Sequence, residues 1–204
     1  ANAPAGTPAG APARDQINVT LGKLLSAQFV RAKSRDAFVV ERGALAIGQP
    51  LQMPASGVAL GVTADRLDLD AWRRLFDGVH GETANGGASG AASPPVSAIA
   101  LKAGQVQLLG RRLTDVEASA SASATQWTVR VNSGQVAGDF VWDGAGSGKL
   151  SARLKRLTLD PANEASRAGA RDAVEKLPAL DIVADDFSVG PRRFGRLEVQ
   201  ARND

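Results

Sequence analysis

Asp185 and Asp186 are the neighbouring side chains in this sequence whose types and spacing are best suited to chemistry. Two adjacent carboxylates can act as general acid and base, or they can contribute oxygen ligands to a divalent cation. No third ligand follows at a suitable spacing, and an internal repeat carries Gly104 and Gln105 at the equivalent positions. We therefore expect the two aspartates to solvate the edge of a strand, and we predict no metal site.

His80, the single histidine, follows the predicted end of a helix, where a partial positive charge is favourable. The basic residues Arg153, Lys155 and Arg156 could meet lipid phosphates, although a solvated or edge-protecting role is the more common use of such a run. The serines lie in no nucleophile elbow, and the chain has no cysteine for disulfides or thiolate catalysis. The sequence thus predicts a protein that is not an enzyme and that has no cofactor.

Charge and hydropathy limit the partners that this chain can have. Its 24 basic and 21 acidic residues are interleaved, and the formal net charge is +3. No basic stripe or aromatic stacking platform is present, so we expect no nucleic-acid partner. No run of about 18 apolar residues occurs, so we expect no span of a bilayer within this stretch. We interpret the chain as a piece of a longer protein, and any membrane anchor or signal is expected upstream of it.

The stretch from Asp115 to Ala124 alternates strictly between polar and apolar residues. A period of two predicts an extended strand with one apolar and one solvated face. Such a face of small residues either packs closely against another element or stays open to a ligand. The apolar residues that we assign to it are Val116, Ala118, Ala120 and Ala122.

The two strands predicted next carry larger apolar side chains at alternate positions. Their tryptophans either anchor a core, which is the more common role, or close one end of a groove. A further predicted strand changes its apolar parity near Lys155 and Arg156, which indicates a β-bulge. The alternating residues of the first two strands are Trp127, Val129 and Val131, followed by Val136, Phe140 and Trp142.

Only the stretch near residues 70–78 has the periodicity of a helix, with Asp70 as its predicted cap. Residues 1–14 are rich in Ala, Pro and Gly and predict a flexible linker, while residues 82–95 predict a mobile loop. We expect residues 15–204 to form a single β-rich segment.

Residues 99–120 and 180–201 resemble each other in their apolar positions and in a pair of arginines. A repeated strand, turn and strand predicts a sheet that grows by the addition of hairpins. The predicted fold is therefore mainly β: an extended, curved antiparallel sheet with an open, groove-like architecture and one short helix.

The order of several phrases in the chain resembles the C-terminal half of the YhdP proteins, which belong to the AsmA-like superfamily of Gram-negative bacteria. The similarity runs from about residue 15 to the end, and the family has no active-site residues to transfer. The phrases are "RLDLDAW", "RRLTDVEASA", "GDFVWDG", "ARLKRLTL" and "LPALDIVADDFSVGPRRFGRLEVQA".

This resemblance implies a function at the cell envelope. Such proteins are anchored in the inner membrane by an N-terminal helix and cross the periplasm as a long curved β-sheet. Its apolar groove is implicated in carrying phospholipid toward the outer membrane. We accordingly expect a non-catalytic periplasmic segment whose partners are phospholipid acyl chains and the rest of its own chain. The ten lipid-groove candidates are the alternating residues named above, from Val116 to Trp142.

A second hypothesis from the sequence is a structural or protein-interaction module of the cell envelope that conducts no lipid. The edges of its sheet would pair with neighbouring strands by strand addition. The two hypotheses differ in whether the apolar parity of the strands faces an open trough or a filled core.

Overall fold

The computed structural model describes residues 14–34, 37–72, 96–160 and 178–202 of the chain. These ranges contain eleven β-strands and a short helix, α1, at residues 69–72. The strands are β1 (Arg14–Leu21), β2 (Leu25–Ser34), β3 (Ala37–Ile47), β4 (Gly57–Asp68), β5 (Val96–Leu108), β6 (Arg111–Ser123), β7 (Gln126–Asn132), β8 (Val136–Asp143), β9 (Lys149–Leu159), β10 (Ala179–Val189) and β11 (Arg192–Ala201).

Several of the predicted segments lie outside the described ranges. The linker predicted at residues 1–14 does so except for Arg14, which begins β1. The mobile loop predicted at residues 82–95 lies wholly outside them, as does the larger part of the helix predicted near residues 70–78.

All eleven strands belong to one open sheet, and their spatial order is their order along the chain. Each of the two edge strands, β1 and β11, has a partner on one side within the described part of the chain. The predicted mainly β fold, with an extended open sheet and one short helix, is confirmed.

The predicted antiparallel pairing needs a correction, because β3–β4, β4–β5 and β9–β10 are parallel pairs. The alternation of residues fixes which face a side chain joins and carries no information about strand direction. Parallel neighbours need a connection that returns the chain to its starting end. The segments at 48–56, 69–95 and 160–178 make these three connections.

Tight turns join the hairpins of the two similar stretches. The β5–β6 turn consists of Leu109 and Gly110, with φ angles of 51° and 68°. Two central residues of positive φ define the type I′ turn, whose twist matches that of a hairpin. The β10–β11 turn also has two residues, Gly190 and Pro191, and Gly190 has a φ of 54°.

The start of α1 differs from the prediction in the identity of its cap. The Asp68 carboxylate accepts a hydrogen bond from the Ala71 backbone N–H at 2.8 Å, the contact of an N-cap residue. Asp70 instead accepts the backbone N–H groups of Leu109 and Gly110, at 2.6 and 2.8 Å. The predicted cap therefore ties α1 to the β5–β6 turn.

The side chains of β5 and β6 change face at one level of the sheet. On β5, Ala103 and Val106 lie in one buried cluster although they are three positions apart. On β6, Val116 and Leu113 join the same cluster and are also three positions apart. Regular alternation would place such residues on opposite faces. Asp115, with a φ of 52°, lies at the point of change in β6.

A β-bulge produces the corresponding change in β9. Ala137 pairs with Arg156, whereas the next residue of β8, Gly138, pairs with Leu154, so that Lys155 is the extra residue. The bulge predicted near Lys155 and Arg156 is thereby confirmed. Bulges bend a strand and strengthen its twist. These irregularities provide places where a long sheet can bend.

The hairpin β7–β8 is shorter than its neighbours, so β6 and β9 extend past its turn at residues 133–135. The loop after β7 fills the space between them, because the Gly134 N–H donates to the Thr114 carbonyl at 2.8 Å. On the other side, the Thr158 N–H donates to the Gln135 carbonyl at 2.7 Å. The sheet is therefore narrower at this end than at the other.

Candidate functional site

The ten candidate residues lie on one face of β6, β7 and β8, which we call the apolar face. Residues directly opposite on neighbouring strands present their side chains on the same face. Ala120 pairs with Val129, which in turn pairs with Phe140. Trp127 likewise pairs with Trp142. The remaining candidates join the same face through the pairs Ala118–Val131 and Ala122–Trp127 and through the clusters that contain Val116 and Val136.

The pairing registers extend the apolar face across the whole sheet. One residue from every strand falls into a single line at right angles to the strands, which we call the central row. Every member is apolar, so the row forms an unbroken band of hydrocarbon from one edge to the other. It comprises Val19, Ala27, Leu45, Leu60, Ile99, Ala120, Val129, Phe140, Ala152, Ile182 and Val199.

A second row runs beside the central row and also crosses all eleven strands. Its members are Leu21, Leu25, Ile47, Val62, Leu101, Ala118, Val131, Gly138, Leu154, Ala184 and Leu197. A third row on the other side crosses six strands through Ala122, Trp127, Trp142, Leu150, Leu180 and Ala201.

The sequence-based prediction missed most of these residues. It named the face on β6, β7 and β8 only, although β2, β4 and β10 carry the same two-residue periodicity. Leu60 and Val62 on β4 are examples, as are Ile182 and Ala184 on β10. Periodicity could have identified them strand by strand, but their alignment into rows depends on the registers between strands.

Much of the apolar face stays accessible in the described part of the chain. Val116 is the one buried candidate, with 4% exposure, whereas Trp142 is 37% exposed. The other eight candidates are half-buried. Among the buried apolar residues of the described ranges, only Val106, Val116 and Leu154 are larger than alanine. A face packed against a second layer would bury its large side chains, so these residues do not form a filled two-layer core.

Burial on the apolar face is greatest beside the irregularities of the strands. One cluster centres on Ala103, Val106 and Val116, at the change of face in β5 and β6. The other contains Leu154, next to the β9 bulge, and Ala184, which has no exposed surface. Local burial beside bulges is what a sheet produces when its strands bend toward the apolar face.

The opposite face carries ion pairs between neighbouring strands. Arg130 and Asp139 approach to 2.9 Å, and Arg153 and Asp181 to 2.8 Å. The hydrogen bond from Arg153 is the main reason that the pKa of the Asp181 carboxyl lies below its ordinary value. These side chains point away from the apolar rows because they have the other parity.

Arginine partners also bind the two aspartates that the sequence singled out. Arg193 reaches both carboxylate oxygens of Asp186, at 2.8 and 2.7 Å, and Arg196 lies 3.6 Å from Asp185. The expected edge role is wrong, since β10 lies between β9 and β11. Within the described ranges, no group of three or more possible metal ligands is present. His80 lies outside those ranges.

The basic run Arg153, Lys155 and Arg156 does not protect a sheet edge, because β9 is an interior strand. Arg153 is held by Asp181, and Lys155 is exposed at the bulge. The Arg156 guanidinium donates to the carbonyl of Ser133 at 2.5 Å, while its Nε is buried without a partner in the described structure. Two of these three cations are thus committed to contacts within the protein.

The described residues include no helix long and apolar enough to cross a membrane. No curated protein and no solved structure matches the chain. The family model described as YhdP protein matches residues 5–204, nearly the whole sequence. An open eleven-stranded sheet with unbroken apolar rows agrees with the fold expected from the resemblance. The chain belongs to the YhdP protein family.

Proposed function

We propose that this chain is a non-catalytic segment of a periplasmic bridge, anchored in the inner membrane, that carries phospholipid toward the outer membrane. Membership of the YhdP family is consistent with lipid transport in the envelope. The observation that carries the proposal is the central row, which is apolar on all eleven strands and half-buried or exposed on nine of them. Acyl chains would lie along this row, across the strands, while the charged side chains of the opposite face remain in water.

The energetics of lipid movement explain why such a row is useful. A two-chain phospholipid exposes about thirty methylenes, and at ~0.8 kcal/mol each its transfer through water costs on the order of 24 kcal/mol. A continuous apolar surface removes most of this barrier. Alanines at positions 118, 120 and 122 leave width for a chain, whereas larger side chains would occupy that space.

The length of the central row also suits acyl chains. Ten intervals between strands, at about 4.8 Å each, give a row about 48 Å long. The hydrocarbon core of a bilayer is ~30 Å thick, so the chains of one leaflet extend about 15 Å. The row could therefore hold about three acyl chains end to end.

Quenching of tryptophan fluorescence tests the proposal directly. The protein would be incubated with a phospholipid whose acyl chains carry bromine, re-purified, and analysed for bound lipid by native mass spectrometry. We expect bound lipid and a marked loss of fluorescence, because Trp127 and Trp142 lie in the third apolar row. Absence of both bound lipid and quenching would refute lipid binding.

Variants assign the quenching to the apolar face. Trp72 lies in α1, so Trp72→Phe leaves the two tryptophans of the third row as reporters. This variant should keep most of the quenching. The double variant Trp127→Phe, Trp142→Phe should lose most of it while its circular dichroism stays unchanged. Equal quenching in both proteins would place the lipid elsewhere.

The edge strands support the second candidate function, a module that joins other strands by strand addition. Val19 on β1 is 47% exposed and Val199 on β11 is 36% exposed, although both belong to the central row. A strand added at either edge would cover them and continue the row. Val19→Lys should abolish an association that depends on the β1 edge, measured by sedimentation velocity.

A further inference from the structure

We propose that Arg111 and Arg192 bind the phosphate of a phospholipid headgroup at one end of the apolar face, and that Asp160 between them favours a headgroup that also carries an ammonium. The inference rests on the proposed function, since the acyl chains of the same lipid would lie on the apolar rows. It specifies the class of lipid as a zwitterionic aminophospholipid.

The two arginines occupy equivalent places in the two similar hairpins. Arg111 pairs with Leu108 directly after the β5–β6 turn, and Arg192 pairs with Val189 directly after the β10–β11 turn. Alternation along each hairpin places both arginines on the same face as the neighbouring apolar residues. In each hairpin the apolar face therefore ends in a pair of one aliphatic residue and one arginine.

Both turns meet at the end of β9. The Arg111 guanidinium donates to the Asp160 carbonyl at 3.2 Å, and the Gly190 N–H of the other turn donates to the Leu159 carbonyl at 2.8 Å. β7 and β8 stop before this level, and the Arg111 side chain reaches across to the end of β9. Two strand intervals, from β9 across β10 to β11, therefore put the Arg111 guanidinium on the order of 10 Å from Arg192.

The other carboxylates near the β5–β6 turn are occupied, which leaves Arg111, Arg192 and Asp160 available to a ligand. Asp70 is occupied by the N–H groups of the β5–β6 turn, and Asp68 by the cap of α1. Within the described structure Arg192 has no ion-pair partner. Arg111 uses one of its five N–H groups on a carbonyl, and the exposed Asp160 carboxylate has no partner there. Two guanidinium groups and one carboxylate match a phosphate and an ammonium.

Exposed apolar side chains next to the arginines complete an amphipathic rim. Leu109 and Phe194 are each 62% exposed, and Leu108 is 39% exposed. Large apolar side chains beside arginine form the combination that favours the boundary between acyl chains and headgroups. At the opposite end of the sheet the turns 124–125 and 144–148 contain no charged residue. Arg14 and Arg31 at that end are paired with Glu41 and Asp15, and Lys149 has the parity of the opposite face. Phosphate should therefore select the end that holds Arg111 and Arg192.

Calorimetric titration of the purified protein with soluble short-chain lipids tests the inference. The probes are dihexanoyl phosphatidylethanolamine, dihexanoyl phosphatidylglycerol and dihexanoylglycerol, which lacks phosphate. We expect the ethanolamine lipid to bind best. The double variant Arg111→Gln, Arg192→Gln should bind it about tenfold more weakly, because it removes two exposed charge pairs with the phosphate. Its affinity for dihexanoylglycerol should not change.

Arg112→Gln is the matched control, since Arg112 follows the same turn but points to the opposite face. It should leave all three affinities unchanged. Asp160→Asn should remove the preference for dihexanoyl phosphatidylethanolamine over dihexanoyl phosphatidylglycerol. Circular dichroism of each variant checks that the fold is intact.

The outcomes separate the two proposals. If the double variant binds the ethanolamine lipid as tightly as the original protein does, the headgroup site is refuted and the apolar face stands. If the original protein binds none of the three lipids, the proposed function itself fails. Displacement of the lipid by an equal concentration of inorganic phosphate would show a free-phosphate site and would overturn the headgroup assignment.

Discussion

The two faces of the sheet are made by the same strands and carry opposite chemistry. On β6, Ala118 and Ala120 point to the apolar face, while Ser119 between them points to the other face and pairs with Arg130 of β7. The ion pair between Arg130 and Asp139 lies on that second face. Both faces therefore share every backbone hydrogen bond of the sheet and differ only in their side chains.

This difference separates stability from function. The ladder of backbone hydrogen bonds holds the sheet together, and the buried clusters beside the bulges add hydrophobic stabilisation. The half-buried apolar rows contribute less to stability than a filled core would, because much of their surface remains in water. The protein thus keeps apolar surface exposed, which usually marks an interaction site.

The largest expected effect comes from the most buried part of the apolar face. Leu154→Ala should lower the free energy of unfolding by about 2–5 kcal/mol, because it removes a buried side chain beside the β9 bulge. The neighbouring control Lys155→Ala should change it by less than about 0.5 kcal/mol. Urea denaturation measures both values. A loss below about 1 kcal/mol for Leu154→Ala would mean that the cluster is not a core.

Adjacent substitutions on the two faces give the sharpest comparison. Ala120→Asp should cost about 1 kcal/mol and leave the protein folded, because the carboxylate on a half-buried position stays partly hydrated. The bound phospholipid should nevertheless fall by more than half. Ser119→Asp adds the same charge to the other face and should affect neither property. Thermal unfolding and native mass spectrometry provide the two measurements.

Unfolding by Ala120→Asp would contradict the open face. An unpaired charge in a filled core costs several kcal/mol, so the result would show that this part of β6 is ordinary core. Placing the same change in the full-length protein and measuring outer-membrane barrier function would extend the test to the cell.

A smaller effect is expected from the ion pairs of the other face. A double-mutant cycle with Arg130→Ala and Asp139→Ala should give a coupling energy of about 0.2–1 kcal/mol, since both side chains are more than half exposed. The coupling should weaken in 1 M salt, where the screening length is ~3 Å. A coupling that is independent of salt would show that the pair is shielded from solvent.

The smallest effect concerns acid. Hydrogen bonds from Arg31 and Arg153 lower the pKa of the Asp15 and Asp181 carboxyls below the ordinary value of 3.8. A carboxyl group whose pKa is lowered in the folded state contributes its full stabilisation at pH values above its ordinary pKa. This contribution disappears as the pH falls through the pKa of the folded state. The thermal midpoint should therefore decline slightly below about pH 4. Asp15→Asn with Asp181→Asn should flatten this decline, and an unchanged decline would assign it to other carboxyls.

The sequence alone was sufficient to predict local features of the sheet. Side chains at i and i+2 share a face in a regular strand, so the alternation from Asp115 to Ala124 identified a strand and its apolar face. The parity change in residues 149–159 identified the bulge at Lys155, because an extra residue shifts every later side chain to the other face.

Tertiary structure decided what depends on partners distant in sequence. Strand direction and register arise from hydrogen bonds between strands, so only the fold could show three parallel pairs and the alignment of one apolar residue from each of eleven strands. The same reason explains Asp70, whose carboxylate binds a turn 39 residues away instead of capping its own helix. It also explains how Arg111 and Arg192, from two separate hairpins, come to lie on either side of the end of β9.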